Sequence, residues 1–379
     1  MAGLYIHIPF CRSRCSYCDF YSQTDATLRH RYVQAVCREL EMRQSELSEP
    51  VRTIYLGGGT PSLLDETDLQ LLFDTIQRLY DLQTLSEVTI EANPDDLSKE
   101  YLHMLRSGFP FNRLSIGVQT FHDETLRLLN RRHTAEQAIN AYQNAREAGF
   151  KNISIDLMYG LPLQTQTRWE SDLQQALSLL SEHISAYHLT YEEGTPLFRQ
   201  WQQGVVRPPD ENESLLFYRT LTEKLRAAGY EHYEISNFCL PGYEAAHNSA
   251  YWQSVPYIGC GASAHSYNGI DTRRWNVADI TSYMQGIFDG KPNMEQESLD
   301  TNTRYNDYII TALRTRWGAD LNYVRSMFGQ RLADYCRQMI QPFLVTGDAV
   351  LDTEKNTIVL TEDGMLLSDE IMRAALVTD

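Results

Sequence analysis

The sequence predicts an α/β fold: an open, partial (β/α)6 barrel followed by a small C-terminal α+β domain. Short β-branched and aromatic runs alternate six times with longer helical patterns, which is typical of a parallel sheet. Six units are fewer than the eight that close a (β/α)8 barrel, so we expect an open one. The length of 379 residues leaves room for a second domain, and fractions of 42% hydrophobic and 22% charged residues are typical of globular proteins.

The six β/α units follow one another from the N-terminus. The predicted strands are short runs bounded by turn residues: Leu4–Ile8, Thr53–Leu56, Val88–Ala92, Arg113–Val118, Asn152–Leu157 and Ile184–Thr190. The predicted helices have apolar residues at the helical period: Leu28–Leu47, Asp65–Tyr80, Ser98–Arg106, Asp123–Leu129, Ala135–Ala148 and Thr167–Leu180. Asp65 is the predicted N-cap of its helix, because a side-chain oxygen there can accept a first-turn N–H.

The rest of the chain is less regular. We expect a helix at Asp210–Ala228, a strand at Tyr230–Ser236 and a polar linker at Lys291–Asp300. Residues 1–295 would form the barrel with the functional segments, and residues 300–379 an accessory domain of several helices with a hairpin around Asp352–Asn356. The accessory domain is predicted to be winged-helix-like, but the 8 Lys+Arg against 11 Asp+Glu of residues 301–379 argue against nucleic acid as a partner.

The charge of the chain also excludes some classes of partner. The formal net charge is −17 and the pI is near 5.0, whereas nucleic acids and anionic membrane surfaces attract basic patches. We find no apolar run long enough to cross a bilayer, and the mean hydropathy is −0.41. The N-terminus lacks the pattern of a signal peptide. We therefore expect a cytoplasmic protein whose contact with membranes is at most transient.

Three of the seven cysteines stand close together. The spacing is Cys11-x3-Cys15-x2-Cys18, directly after the first predicted strand. Three thiolates on one loop suit a metal that prefers sulfur, either an iron–sulfur cluster or zinc. A structural zinc site needs a fourth ligand, for which His7 is one candidate. Three cysteines on a four-iron cluster would instead leave one iron open for a substrate or cofactor. The other cysteines, taken singly, are expected to be buried apolar residues.

This cysteine motif in a run of β/α units resembles the radical S-adenosylmethionine (SAM) superfamily. The phrase Tyr5-Ile6-His7-Ile8-Pro9-Phe10-Cys11, with Tyr-Cys-Asp-Phe at 17–20, is similar to the group around oxygen-independent coproporphyrinogen III oxidase. The resemblance implies that Cys11, Cys15 and Cys18 hold a [4Fe–4S] cluster whose open iron is chelated by SAM. It also implies that Tyr5 and Tyr17 pack beside the cluster, although both also fit the interpretation of plain core aromatics.

The resemblance further implies a set of SAM-binding residues. Gly57-Gly58-Gly59-Thr60 resembles the glycine turn that brings backbone close to the SAM amino group, because glycine has no Cβ. The resemblance also implies Arg131 and three residues near the ends of the third, fourth and fifth predicted strands, namely Glu91, Gln119 and Asp156. A carboxylate among them would hold a ribose hydroxyl, and Arg131 would meet the SAM carboxylate. Singly, Gln119 or Asp156 also fits the interpretation of a buried strand-end residue.

Two features separate this chain from the oxidase. The oxidase has one more cysteine two residues after the third ligand, and this chain has Phe20 there. The run His247-Asn248-Ser249-Ala250-Tyr251-Trp252 resembles the H-N-x-x-Y-W signature of the heme chaperone (HemW) branch of the family. Histidine is a common axial ligand of heme iron, and aromatic rings pack on porphyrin faces. We expect heme near His247, with three rival ligands: His7, His188 and His265.

The leading hypothesis is a heme chaperone that binds heme and passes it to acceptor hemoproteins. The cluster and SAM would gate or drive this transfer, or promote formation of a homodimer. The alternative is an enzyme that uses a SAM-derived radical to decarboxylate coproporphyrinogen III oxidatively to protoporphyrinogen IX, against which Phe20 counts. A third hypothesis is a barrel stabilised by zinc, with no redox role.

Overall fold

The fold is built on one large sheet. The computed structural model describes residues 2–47 and 49–378. In this part of the chain the strands of the main sheet follow the order β12-β11-β10-β9-β1-β2-β3-β4-β5-β6-β8-β7. The first six strands pair in parallel and in sequence order, as the β/α alternation predicts. The two ends of the sheet, β12 and β7, are different strands, so the barrel is open.

The six predicted β/α units are all present. Strands β1–β6 are Ala2–Ile8, Val51–Gly58, Glu87–Ala92, Arg113–Gln119, Ile153–Tyr159 and His183–His188. Helices α1–α6 are Arg29–Arg43, Glu66–Leu79, Lys99–Gly108, Asp123–Leu128, Ala135–Glu147 and Gln166–Ser178. The predicted N-cap is confirmed, because the Asp65 carboxylate accepts the Asp68 backbone N–H at 3.0 Å.

Further elements extend both edges of the sheet. After β6 come α7 (Pro196–Gln202), α8 (Glu211–Ala227), β7 (Glu231–Glu234), β8 (Asn237–Cys239), α9 (Ala246–Trp252), β9 (Tyr257–Cys260), β10 (His265–Tyr267), β11 (Thr272–Asn276), α10 (Ile280–Phe288) and β12 (Met294–Ser298). Strand β9 pairs in parallel with β1, and β10–β12 then continue antiparallel. The linker predicted at Lys291–Asp300 is therefore wrong over its central part, because Met294–Ser298 form an edge strand on β11.

The C-terminal segment has the element order of a winged helix. Its elements are α11 (Thr301–Leu313), β13 (Ala319–Asp320), α12 (Leu321–Phe328), α13 (Gln330–Thr346), β14 (Ala349–Asp352), β15 (Thr357–Leu360), α14 (Glu362–Leu366) and α15 (Ser368–Ala375). The predicted hairpin is confirmed as the pair β14–β15, which joins β13 in a three-stranded sheet. The winged-helix-like α+β character follows from this helix–strand–helix–helix–strand–strand order.

One hydrophobic core runs through both parts of the described chain. It includes Leu4 and Ile6 of β1, Leu114 of β4, and Ile309 and Ile340 of the C-terminal helices, all fully buried. The division at residues 295–300 stays a prediction, although strand β12 crosses its first boundary. Within the described residues, the helices include none that is long and apolar enough to cross a bilayer.

Candidate functional site

A cavity of about 590 Å³ opens at the carboxyl ends of the barrel strands. The loop after β1, the turn after β2 and residues of β3–β6 all contribute to its wall. Loops converge at this end in barrel folds because parallel strands all finish there. Of the predicted site residues, the cavity wall contains Cys11, Cys15, Tyr17, Cys18, Gly58, Gly59, Thr60, Glu91, Gln119, Arg131 and Asp156.

The three clustered cysteines line one side of this cavity and are partly exposed. The Thr60 hydroxyl lies 3.5 Å from the Cys11 sulfur, and Arg131 Nη1 lies 3.4 Å from the Cys15 sulfur. Burial, with the neighbouring cysteines, raises the pKa of Cys18 to about 11. A metal cluster at this position would supply the positive charge that reverses this shift.

The cysteines do not converge on one point. Within residues 2–47 and 49–378, the structure has no group of three His, Cys, Asp or Glu side chains placed to hold a single metal ion. His7, the candidate fourth zinc ligand, uses both ring nitrogens elsewhere, with the Tyr5 hydroxyl at 2.9 Å and the Tyr21 carbonyl at 3.3 Å. Three thiolates spread along one wall suit a polynuclear cluster, in which each thiolate binds a different iron.

The glycine turn holds the end of β2 against the cysteine loop. The Gly59 N–H donates to the Ile8 carbonyl at 2.9 Å, and a Cβ on Gly59 would lie 2.8 Å from the carbonyl oxygens of Ile8 and Phe10. Gly58 has φ = +107°, a conformation that favours glycine. These glycines are therefore required for close backbone packing here, in addition to the approach to SAM that the resemblance implies.

Two carboxylates face the interior of the barrel. Glu91, next to the last residue of β3, accepts hydrogen bonds from the Tyr55 hydroxyl at 2.7 Å and the Gly58 N–H at 3.0 Å. Burial raises the pKa of Glu91 to about 7 and also raises the pKa of Asp156. The strand predicted at Asn152–Leu157 is two residues too short at its carboxyl end, because β5 continues to Tyr159. Asp156 points into the barrel from mid-strand and accepts the Ser115 hydroxyl at 2.8 Å.

Gln119 and Arg131 lie on either side of a local irregularity at the end of β4. The register of β4 on β5 shifts between Gly117 and Gln119, and Gln119 has φ = +69°. A non-glycine residue in this region is strained, and such strain concentrates at functional sites. Arg131 is held by the Asn93 side-chain oxygen at 2.7 Å and by the Gly117 carbonyl, besides its contact with Cys15. This anchoring presents a fixed cation beside the cluster site.

The two predicted tyrosines differ in position. Tyr17 lines the cavity and packs on a small apolar cluster that includes Met158 and Leu197. Tyr5 is absent from the cavity wall among the described residues. Its ring lies 6.1 Å from that of Tyr55 and 6.5 Å from that of His247, in a layer below the cavity. Glu91 of the cavity wall lies close enough to Tyr5 to act on its hydroxyl electrostatically, and the packing of Tyr5 beside the cluster stays a prediction.

His247 also lies below the cavity. It is 1% exposed and is the second residue of helix α9, and the next residue, Asn248, reaches the cavity wall. Its Nδ1 is hydrogen-bonded to the Thr53 hydroxyl at 2.8 Å and its Nε2 to the Tyr251 hydroxyl at 2.8 Å. Burial lowers the pKa of His247 to about 3, so the ring is neutral. Axial ligation of heme by His247 stays a prediction, and it requires the ring to give up one of these hydrogen bonds.

The rival histidines and Phe20 occupy different surroundings. His188 lines the cavity beside Tyr159, with its Nε2 3.1 Å from the Ser214 hydroxyl. His265 stacks on Trp275 outside the cavity wall described here. Phe20 is 66% exposed and borders the cavity mouth. Phe20 therefore adds an apolar surface where the oxidase pattern has a thiol.

Several wall residues were not predicted from the sequence. Asn93 directly follows β3, and its side-chain oxygen positions Arg131. Arg113 begins β4 and is 1% exposed, and its Nε and Nη1 atoms have no hydrogen-bond partner among the described residues. Tyr187 projects from β6 and is 42% exposed. In the sequence these residues stand in or next to predicted strands and belong to no recognisable motif, so nothing local predicts that they line the cavity.

The fold and the cysteine site define a class that the family comparison also finds. Residues 5–176 match the model of the Radical SAM superfamily. A solved structure described as coproporphyrinogen III oxidase (HemN) from Escherichia coli, a radical SAM enzyme, shares the fold with a TM-score of 0.85. That match covers 99% of this chain and 89% of the other at 24% identity.

Relatives with higher sequence identity than this oxidase indicate one family within the superfamily. The heme chaperone HemW of Bacillus subtilis (strain 168) is 36% identical over 99% of both chains. The heme chaperone HemW of Mycobacterium tuberculosis (strain ATCC 25618 / H37Rv) is 34% identical over 99% of this chain and 94% of the relative. The chain therefore belongs to the HemW heme chaperone family within the radical SAM superfamily. The cofactors of this superfamily are a [4Fe–4S] cluster and SAM, and the thiols, glycine turn and buried acids of the cavity fit both.

Proposed function

We propose that this protein binds heme and passes it to acceptor hemoproteins. The observation that carries this proposal is similarity over the full length: relatives named heme chaperone HemW align with 99% of the chain, including the His247–Trp252 segment and the C-terminal helices. The solved structure of the oxidase shares only 24% identity with this chain. That likeness shows a common fold and carries no argument for a common reaction.

The cavity supplies the residues for the two superfamily cofactors. Cys11, Cys15 and Cys18 would hold the [4Fe–4S] cluster. Six residues on the adjoining walls would bind SAM, namely Gly58, Gly59, Thr60, Glu91, Gln119 and Asp156, with Arg131 as the partner of its carboxylate. A cluster of this kind supplies a single electron to SAM when that chemistry is used. The glycine turn and the Arg131 contacts keep the binding surface rigid.

Phe20 distinguishes the proposed function from porphyrinogen oxidation. Its ring is exposed at the cavity mouth, and the Arg14 guanidinium binds the Cys18 and Phe20 carbonyls, which fixes the loop. An exposed aromatic ring next to a cofactor pocket offers a contact surface for a planar ligand or an acceptor protein. Replacing a thiol by this ring removes a reactive group from the place where the oxidase pattern has one.

We further propose a cytoplasmic protein that forms a homodimer and touches membranes at most transiently. The net charge of −17 opposes adsorption to an anionic lipid surface. Sedimentation of the cluster-loaded protein, with and without SAM, tests the dimer. A single species with the mass of one chain under all these conditions would contradict it.

The function itself is tested by an anaerobic hemin titration of the cluster-loaded protein, followed at the Soret band. We expect saturation near one heme per chain, and transfer of that heme to an added apo-globin. The matched assay supplies coproporphyrinogen III, SAM and a reductant. Multiple turnovers there, or the absence of saturable hemin binding, would overturn the chaperone proposal.

A further inference from the structure

A second cavity of about 250 Å³ lies at the opposite end of β1 from the cysteine loop. It is lined by Tyr257, which pairs with Gly3 at the start of β1, and by residues of the C-terminal helices α11 and α12. The cavity therefore lies where the barrel edge meets the winged-helix-like segment. None of its wall residues belongs to the wall of the first cavity.

Aromatic rings dominate this second cavity. Five tyrosines contribute, together with one phenylalanine and one methionine: Tyr251, Tyr257, Tyr267, Tyr308, Tyr323, Phe328 and Met327. The rings of Tyr308 and Tyr323 lie 4.7 Å apart, and those of Tyr251 and Tyr257 lie 4.6 Å apart. Ile270 and Met327 form an exposed rim, being 60% and 46% exposed. Walls of this composition suit a flat aromatic ligand.

The cavity also presents positive charge in a protein that is strongly acidic overall. Arg273 is paired with Asp307, whereas the Arg304 guanidinium lies over the Phe328 ring, 5.8 Å from its centroid, and forms no ion pair with the described residues. Asp271 lies in the neighbouring loop, where one carboxylate oxygen accepts hydrogen bonds from Asn268 and Thr272; it attracts Arg304 electrostatically without forming an ion pair with it. Arg304 is thus available to a carboxylate that enters the cavity.

The second cavity is connected to the first through helix α9. Asn248 reaches the first cavity and Tyr251 the second, and the Tyr251 hydroxyl is hydrogen-bonded to His247 between them. His247 therefore acts on the second cavity as a positioning residue, through Tyr251. The ring of His247 is buried and neutral in this arrangement, with both nitrogens hydrogen-bonded.

We propose that the second cavity receives one edge of heme, with Arg304 on a propionate and the tyrosines against the ring. This inference rests on the proposed heme-binding function and assigns its site. The volume of about 250 Å³ is below the roughly 300–1,000 Å³ of pockets that bury most of a drug-sized ligand, so much of the tetrapyrrole stays exposed. Partial exposure suits a protein that must release its ligand to an acceptor.

The test measures binding of hemin and of iron-free protoporphyrin IX to the full chain and to Arg304→Glu. Loss of the cation and introduction of a like charge should weaken both ligands at least about tenfold, because the contact is with carboxylates and not with iron. Arg331→Glu is the matched control, since Arg331 is exposed on α13 and is absent from the cavity wall. The control should bind both ligands as the unmodified chain does.

A second variant guards against misfolding of the first. Ile270→Glu places a charge on the exposed rim, and Val345→Glu is its control on a 78% exposed site of α13. We expect weaker binding for Ile270→Glu alone. If the unmodified chain binds hemin while both cavity variants bind it equally well, the assigned site is wrong and the proposed function stands. If the unmodified chain does not bind hemin at all, the proposed function itself fails.

Discussion

The two cavities of this protein are built in different ways. The first, of about 590 Å³, is formed where six parallel strands end, and its metal-binding residues come from one loop of eight residues, Cys11–Cys18. The second, of about 250 Å³, is formed by residues between 251 and 328 that come together only when strands β9–β11 meet helices α11 and α12. Thiols, a guanidinium and buried carboxylates with raised pKa values line the first, whereas aromatic rings dominate the second.

The difference shows how chemistry and transport place different demands on a site. Cofactor binding needs fixed polar groups, which the glycine turn and the Arg131 contacts provide through hydrogen bonds. Reversible capture of a large planar ligand needs an accessible apolar surface with one or two charged anchors. Helix α9 contributes to both, so the two sites share one structural element.

The largest expected effect is loss of the metal cluster, which concerns the first cavity alone. Cys15→Ser should abolish cluster binding, because a serine hydroxyl at this position is a poor ligand for iron, while the fold persists since Cys15 is only partly buried. Iron and sulfide analysis with the visible absorbance of the cluster measures this. Cys336→Ala, at a fully buried position of α13, is the control and should keep full iron content. Retention of the cluster by the Cys15 variant would show that the ligand assignment is wrong.

The next prediction concerns the connection between the cavities. His247→Ala should lower the free energy of unfolding by about 3 kcal/mol, because it leaves the buried Thr53 and Tyr251 hydroxyls without their partner and opens a void. Tyr251→Phe keeps the packing and loses one hydrogen bond, so about 1 kcal/mol is expected. Urea unfolding of the cluster-free proteins measures both. Equal stability of the His247 variant and the unmodified chain would contradict the positioning role of this ring.

The smallest expected effect is a pH dependence that belongs to the first cavity. The native Glu91 carboxyl keeps its proton up to about pH 7, whereas the unfolded one ionises near 4.5. The native state therefore binds more protons in this window, and the contribution of Glu91 to stability is lost as the pH rises through it. Glu91→Gln should remove this loss. Between pH 5 and pH 8, the free energy of unfolding of the variant should therefore rise by roughly 2 kcal/mol relative to that of the unmodified chain.

Denaturant titrations across this pH range measure the gain. Glu223→Gln, at an exposed position of α8, is the control and should parallel the unmodified chain at every pH. A pH-independent difference between the Glu91 variant and the unmodified chain would show that the carboxyl titrates in its ordinary range.

The β/α succession was predictable because each unit carries its own local pattern. All six predicted strands and their helices are present, with ends that differ by a few residues, and the Asp65 cap is where the first-turn geometry requires it. Two errors share one cause. The sequence predicts that the fifth strand ends at Leu157 and that Lys291–Asp300 is a linker, but pairing with a neighbouring strand extends β5 to Tyr159 and creates β12. Such pairing depends on residues far away in the sequence.

The sequence by itself determined the cluster site, because three thiols within eight residues of one loop stay close together in any fold that begins with this strand. It also determined the family, through motifs that are short and local. Only the tertiary structure decided that both nitrogens of His247 are engaged, that Tyr5 lies below the cavity, and that Arg304 faces a ring of tyrosines. The physical reason is that these relations arise from the packing of distant segments, whose contacts no local pattern of residues encodes.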